Sequence, residues 1–150
     1  MFSKLTGLFD QAEATDSAGL ECDPIQLATA ALLVKMGQAD SEVFLEEEEA
    51  IHKALRSHFS LNRSQVDDLV AAAEKSVDKS IDIYAYTKRL NEALSLEEKE
   101  QIIELLWRIV YSDGFKDCEE EHLVRKIAGL LHVSHDGFIR TRQRVEKGLK

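Results

Sequence analysis

Residues 27–36 read LATAALLVKM, a stretch that is apolar on nearly every face when it is wound into a helix. A helix without a polar face has to be buried on most of its sides. Asp23 and Pro24 precede the stretch as a capping aspartate and a first helical proline, and Gly37 follows it. The sequence therefore predicts a central, buried helix that begins at Pro24 and ends at Gly37.

A second stretch, residues 102–110 (IIELLWRIV), has the same apolar character, and a turn rich in acidic residues follows each of the two. Each turn leads into an amphipathic stretch, over residues 45–59 in the first copy and 118–131 in the second. A unit of helix, acidic turn and helix that recurs after 73 residues indicates a duplicated element. We expect the two apolar helices to lie at the centre, related by a pseudo-twofold axis, with both turns at the surface.

The two acidic turns share a pair of carboxylates. Asp40 lies in the first turn and Asp113 in the second, and a glutamate follows seven residues later in each copy, Glu47 and Glu120. An aspartate in a tight turn and a glutamate one helical turn further on can converge on a hard cation such as Ca²⁺ or Mg²⁺. The spacing is not that of an EF-hand, and each loop offers few oxygens, so the expected affinity is weak.

Capping is the competing interpretation of these acids. The positive end of a helix dipole favours Asp and Glu in the first turn by about 0.3–1 kcal/mol each. Asp117 and Glu120 also fit an acidic version of the capping box. In the first copy, however, Phe44 stands at the position of Asp117, and phenylalanine cannot cap although Glu47 is still present. Both interpretations stay open: solvated caps, or sites for a cation or a basic partner.

The rest of the chain is typical of helices joined by short connections. Asn62 and Ser64 offer caps for a third helix, and apolar residues recur at helical intervals over residues 81–94. Ser95 and Glu98 form a capping box for the next helix. Ser134 offers a cap for the last helix, and no segment reads as a strand.

These elements predict an all-α protein with one domain of seven to eight helices over residues 23–150. Residues 1–22 are predicted to be an appendage, because Phe2, Leu5 and Leu8 recur at helical spacing before a small, polar stretch. This amphipathic segment would be the binding element if the protein worked as an adaptor.

Composition and charge narrow the class of protein. The chain has 150 residues, a single proline and a net charge of −9, which favours helices and argues against nucleic acid as a ligand. It has neither the roughly 18 consecutive apolar residues of a membrane span nor an export signal, so we expect a cytoplasmic protein with reduced cysteines. The tail from Arg140 is basic. Its cations can interact favourably with the negative end of the last helix, or they can make a peripheral contact with anionic lipid or an acidic partner.

Seven segments spread over about residues 24–145 carry a resemblance to a known family. They are residues 28–34 (ATAALLV), 39–43 (ADSEV) with Glu47, 90–94 (LNEAL), 105–107 (LLW), 112–114 (SDG), 120–123 (EEHL) and 133–140 (VSHDGFIR). On these segments the chain resembles the tellurite-resistance TerB family, in its TerB-like branch. The resemblance implies an all-helical domain, acidic clusters suspected of binding metal, and a stress or tellurite response exerted through partner proteins. Ser41 departs from the family pattern, which usually has glycine at this position.

The sequence therefore favours a non-enzymatic cytoplasmic module that binds divalent cations or protein partners through its acidic turns. The metal ligands predicted for it are Asp40, Glu47, Asp113 and Glu120. One alternative is a metal-dependent hydrolase that uses the same acids, and another is an adaptor that acts through residues 1–22. Assembly of several copies is a further possibility that the sequence leaves open.

Overall fold

A computed structural model describes residues 23–38, 45–79, 83–112 and 118–148 of the chain. Seven α-helices account for most of these residues, and no strand occurs among them, which confirms the all-α prediction. The helices are α1 (Pro24–Gln38), α2 (Leu45–Phe59), α3 (Arg63–Lys79), α4 (Tyr84–Ala93), α5 (Leu96–Val110), α6 (Cys118–Leu130) and α7 (His135–Gly148). The predicted appendage, residues 1–22, lies outside the described residues.

Local capping interactions start four of the helices where the sequence predicts. The Asp23 carboxylate accepts hydrogen bonds from the backbone N–H groups of Ile25 (2.7 Å) and Gln26 (3.3 Å) at the start of α1. Ser95 and Glu98 form the predicted capping box of α5, in which each side chain accepts from the other residue's backbone N–H. These bonds satisfy backbone donors that have no partner inside a helix.

The start of α3 is a reciprocal cap of the same kind. The Asn62 side chain accepts from the backbone N–H of Gln65 (2.8 Å), and the Gln65 side chain accepts from the backbone N–H of Asn62 (2.9 Å). At α7 the Ser134 hydroxyl accepts from the backbone N–H of Gly137 (3.0 Å). Asn62 and Ser134 are therefore caps, as predicted.

Two helix boundaries differ from the sequence prediction. The helix predicted over residues 81–94 is described as α4 from Tyr84 to Ala93, and Ile83 at its N-cap makes no side-chain cap. Helix α1 continues through Gly37 to Gln38 instead of ending at the glycine. Gly37 is buried there, and a Cβ atom at its position would lie 3.2 Å from Ile51 Cδ1, so the glycine allows α1 and α2 to approach closely.

Helices α1 and α5 form the centre of the fold. Helix α1 packs against α2, α3, α4, α5 and α6, and residues 28–34 along it are all buried. Helix α5 packs against α1, α2, α6 and α7. The prediction of two central apolar helices is therefore confirmed, although α5 is less enclosed than α1, because a stripe of polar residues runs along one side of it. The stripe consists of Glu97, Gln101, Glu104 and Arg108.

The two central helices have corresponding neighbours. In the first half α1 packs against both α2 and α3, and in the second half α5 packs against both α6 and α7. Each central helix therefore forms a unit with the two helices that follow its acidic turn. Helix α4 joins the two units and packs against α1 and α6, where the Asn91 side chain donates a hydrogen bond to the carbonyl oxygen of Leu130 (2.8 Å).

We expect substitutions in the two central helices to destabilise the protein strongly. Leu33 in α1 and Leu106 in α5 have no exposed surface, so replacing either by alanine removes apolar burial and leaves a cavity. The expected loss in the free energy of unfolding is about 2–5 kcal/mol for each, measured by chemical denaturation. Glu49→Ala, at an exposed position of α2, is the control and should change it by less than about 0.5 kcal/mol. Leucine variants as mild as the control would contradict the central placement of these helices.

Candidate functional site

The structure describes the side chain of one of the four predicted metal ligands. Asp40 and Asp113 lie outside the described residues. The backbone of Glu47 belongs to the first turn of α2, but its side chain is not among the described ones. Glu120, the third residue of α6, is 2% exposed. The geometry of the two carboxylate pairs therefore stays a prediction.

The burial of Glu120 differs from what a solvated cap would show. A carboxylate is costly to bury unless hydrogen bonds or a positive charge compensate for the lost hydration. The first turn of α6 supplies part of that compensation, because a helix N-terminus carries partial positive charge. Glu120 is thus an acid held inside the protein directly after the second acidic turn.

Arg142 of α7 ties together the two sides of the second acidic turn. Its Nε donates to the phenol oxygen of Tyr111 (3.1 Å), which lies just before the turn, and its Nη1 lies 3.5 Å from Glu121 Oε2, just after it. The phenol of Tyr111 donates in its own right to Glu146 Oε2 (2.6 Å), which also lies 3.3 Å from Arg142 Nε. These polar groups hold the end of α5, the start of α6 and helix α7 together.

The pKa of the Tyr111 phenol is raised, first by burial and then by its hydrogen bond to the Glu146 carboxylate. Both effects disfavour the phenolate, so the phenol stays a hydrogen-bond donor at neutral pH. The pKa of the phenol is higher in the folded state than in the unfolded state, so its neutral form stabilises the fold. This contribution is complete at pH values below the unfolded-state pKa of 10.0. The contribution is lost as the pH rises through the folded-state pKa.

An aromatic cluster lies beneath these polar groups. Trp107 is fully buried, as predicted, and its ring stacks on Tyr111 (centroids 6.0 Å apart) and packs at a tilt on Phe138 (5.2 Å). The guanidinium carbon of Arg142 lies 5.3 Å from the centroid of the Trp107 ring, within the range of a cation–π interaction. The indole N–H of Trp107 has no hydrogen-bond acceptor in the part of the chain that the structure describes.

A cavity of about 440 Å³ lies between the end of α1 and helices α2 and α3, next to the first acidic turn. We call it the α2–α3 groove. The apolar residues that line it are Val34, Gly37, Ile51, Val70 and Ala71, and the polar ones are Gln38, Glu48, His52, Asp67 and Glu74. His52 Nδ1 lies 3.3 Å from Asp67 Oδ1, so α2 and α3 are in polar contact at one point along the groove.

A second cavity, of about 540 Å³, lies between α2, α5 and α7 and is mainly polar. It is lined by Ser57, His58, Glu97, Glu100, Gln101, Glu104, Leu105, Arg108 and Arg144. The pKa of His58 is lowered, first by burial and then by the positive charge of Arg108, while Glu98 opposes the shift. His58 is therefore held toward its neutral form, and the cavity presents both signs of charge.

The three arginines of α7 have acidic partners within the protein. Arg140 Nη2 lies 2.9 Å from Glu100 Oε2, and Arg144 is paired with Glu104, both on α5. Together with Arg142, three arginines of the tail that begins at Arg140 are held in ion pairs. The helix-end and lipid interpretations of this tail overlooked the pairs of Arg140 and Arg144, because their partners lie 40 residues away in the sequence.

Neither a candidate metal cluster nor a candidate membrane span occurs among the described residues. No three His, Cys, Asp or Glu side chains among them lie close enough together to hold a metal ion. None of the described helices is long and apolar enough to cross a membrane.

Comparison with known proteins identifies the family. Residues 26–143 match the family model described as "Tellurite resistance protein TerB", which covers most of the chain. The chain therefore belongs to the TerB family, as the resemblance implied. No curated protein and no solved structure matches the chain in the corresponding comparisons.

We expect Tyr111 and Glu146 to be energetically coupled. Tyr111→Phe removes only the hydroxyl and leaves the ring on Trp107, and Glu146→Gln removes the charge that the hydroxyl meets. Because both groups are partly exposed, a double-mutant cycle by chemical denaturation should give a coupling of about 0.5–1.5 kcal/mol. Tyr111→Phe combined with Glu92→Gln, an exposed position of α4, is the control and should be additive. Additivity of the first pair to within about 0.3 kcal/mol would contradict the contact.

Proposed function

We propose that this TerB-family domain is a non-enzymatic module of the tellurite-resistance type that binds Ca²⁺ or Mg²⁺, or a protein partner, through its acidic turns. Its proposed location is the cytoplasm. A divalent cation bound at the acidic turns would reduce their negative charge. The observation that supports the proposal most directly is the burial of Glu120, 2% exposed in the first turn of α6. The burial of an acid beside an acidic turn supports a role as an inner ligand over that of a solvated charge.

The anchoring of the second turn also supports the proposal. Tyr111 before the turn and Glu121 after it both contact Arg142, so the two ends of the intervening segment are held by one side chain. Ligands on a loop with fixed ends lose less conformational entropy when they close around an ion. The second turn is therefore the better candidate of the two.

The chemistry of the proposed ligands fixes the kind of ion. Asp40, Glu47, Asp113 and Glu120 are all carboxylates, and with backbone carbonyls they offer the oxygen ligands that hard cations prefer. Each turn has fewer oxygens than the six to eight that Ca²⁺ takes, so water or a partner protein would complete the coordination. Cation binding and partner binding can therefore be parts of the same event.

We expect divalent cations to raise the melting temperature of the full chain, because a ligand that binds only the folded state stabilises it by mass action. Asp113→Asn with Glu120→Gln should remove most of this shift. Asp40→Asn with Glu47→Gln should remove less, because Gly114 can adopt positive φ without steric cost whereas Ser41 cannot. Melting curves with and without Ca²⁺ or Mg²⁺ at millimolar concentration measure the shift.

Two controls separate cation binding from a loss of capping. A residue that only caps lowers the melting temperature equally with and without metal, so the metal-induced shift, not the melting temperature itself, is the quantity to compare. Glu92→Gln, at an exposed position of α4, should leave the shift unchanged. Identical shifts in the wild type and in the variant with all four substitutions would contradict the cation proposal.

A further inference from the structure

The α2–α3 groove has an apolar floor. Val34 of α1, Ile51 of α2 and Val70 of α3 line it, and each is 4–8% exposed. Gly37 lies beside them at the point where α1 approaches Ile51 closely. The floor belongs to the hydrophobic core, but part of its surface opens into the cavity.

The rim of the groove is acidic. Glu48 on α2 and Asp67 and Glu74 on α3 are exposed carboxylates, and among the described lining residues only half-buried His52 can carry positive charge. Asp67 and Glu74 lie two helical turns apart, with Val70 and Ala71 between them on the same face of α3. Acidic and apolar surface therefore alternate along one side of the groove.

This combination of surfaces is complementary to basic, amphipathic peptide chemistry. Arginine and lysine side chains pack their methylene stems on apolar surface and place their charged heads at its edge. Carboxylates at that edge form charge-assisted hydrogen bonds with those heads, and the bonds are bidentate for arginine. A volume of about 440 Å³ falls within the range of sites that hold small ligands, about 300–1,000 Å³, so it suits a few side chains of a segment rather than a whole domain.

Other occupants fit the groove less well. A nucleic acid would meet carboxylates where it needs cations. A bare divalent cation would need converging oxygens, and the described residues bring no three suitable side chains close enough for a metal. A second copy of the chain could offer the three arginines of α7 only by giving up their pairs with Glu100, Glu104 and Glu121.

We propose that the α2–α3 groove is a docking site for an amphipathic segment of a partner protein that carries arginine or lysine. An apolar side chain of the segment lies on Val34, Ile51 and Val70, and its basic side chains meet Asp67 and Glu74. The site uses neither Asp40 nor Asp113, so it does not depend on cation binding at the acidic turns.

The test is a titration of the full chain with a peptide probe, acetyl-Leu-Arg-Ala-Leu-Arg-amide, at physiological ionic strength. Binding is monitored by the ¹H–¹⁵N NMR spectrum of the protein. Amide shifts should cluster in residues 34–38, 48–52 and 67–74. Two related peptides isolate the contributions: one with glutamine for each arginine lacks the charge, and one with glycine for each leucine lacks the apolar contact. Both should bind more weakly than the probe.

Two variants of the groove, each with a matched control, make the test specific. Asp67→Asn with Glu74→Gln should weaken binding of the probe about threefold to tenfold, as expected for two partly solvated charge pairs. Its control, Asp68→Asn with Glu92→Gln, removes the same charge from exposed positions outside the groove lining and should leave the affinity nearly unchanged. Ala71→Trp, at an exposed position that lines the cavity, should block binding, whereas Ala85→Trp on α4 should not.

Three results would overturn the proposal. Shifts spread over all acidic surfaces, or equal loss of affinity in the groove variant and its control, would show binding through net charge alone. Groove shifts that depend on protein concentration without any peptide would assign the groove to a second copy of the chain. The same shifts produced by Ca²⁺ or Mg²⁺ alone would assign it to a cation. A metal-induced rise in melting temperature with no peptide binding would leave the proposed function of the turns intact.

Discussion

The fold depends on the burial of α1. Residues 28–34 offer no polar face, and the helix is enclosed by five neighbours, α2 to α6. Leu32, Leu33, Val34 and Met36 are buried on this helix, and burying a large apolar side chain contributes about 1.5–3 kcal/mol. The polar residue within this stretch, Thr29, is satisfied by donating its hydroxyl hydrogen bond to the carbonyl oxygen of Ile25 (2.8 Å). Helices α2 to α6 are arranged so that they cover the sides of α1.

Both candidate regions lie where a central helix ends. Helix α1 leads into the first acidic turn, and its last residues help to line the α2–α3 groove. Helix α5 leads into the second turn, where Arg142 fastens α6 and α7 to the residue that follows the helix, Tyr111. Each of the two acidic segments therefore follows directly in the chain from the end of a central helix. The two ends are not equivalent, because one opens into a groove and the other is closed by a polar network.

The features that could be predicted from the sequence are those set by local signals. Asp23 and Ser95 mark helix starts because a cap requires only residues within one turn. Helix α1 was recognisable because burial on nearly all sides leaves a continuous apolar sequence. The start of α4 was placed wrongly because Ile83 gives no capping signal. The polar face of α5 was overlooked because Glu104 and Arg108 were counted as part of one apolar run.

The contacts of the candidate sites depend on tertiary packing, which the pattern of one sequence does not encode. Arg142 meets Tyr111 from 31 residues away, and His52 meets Asp67 across two helices. The i, i+4 spacing of Arg142 and Glu146 was the one local signal for the network at the second turn. The burial of Glu120 was not predictable either, since a glutamate in a first helical turn is usually solvated. The acidic repeat itself was visible because it is a sequence pattern.

Native-state hydrogen exchange tests the central claim most directly. If the enclosure of α1 holds the fold together, the amides of residues 28–34 should exchange only through global unfolding, with the same free energy as chemical denaturation gives. Amides near the end of α7, which packs against α5, should exchange through smaller local openings. Exchange of the α1 amides at a lower free energy than those of α7 would contradict the account, because α1 could then open while the rest of the domain stayed folded.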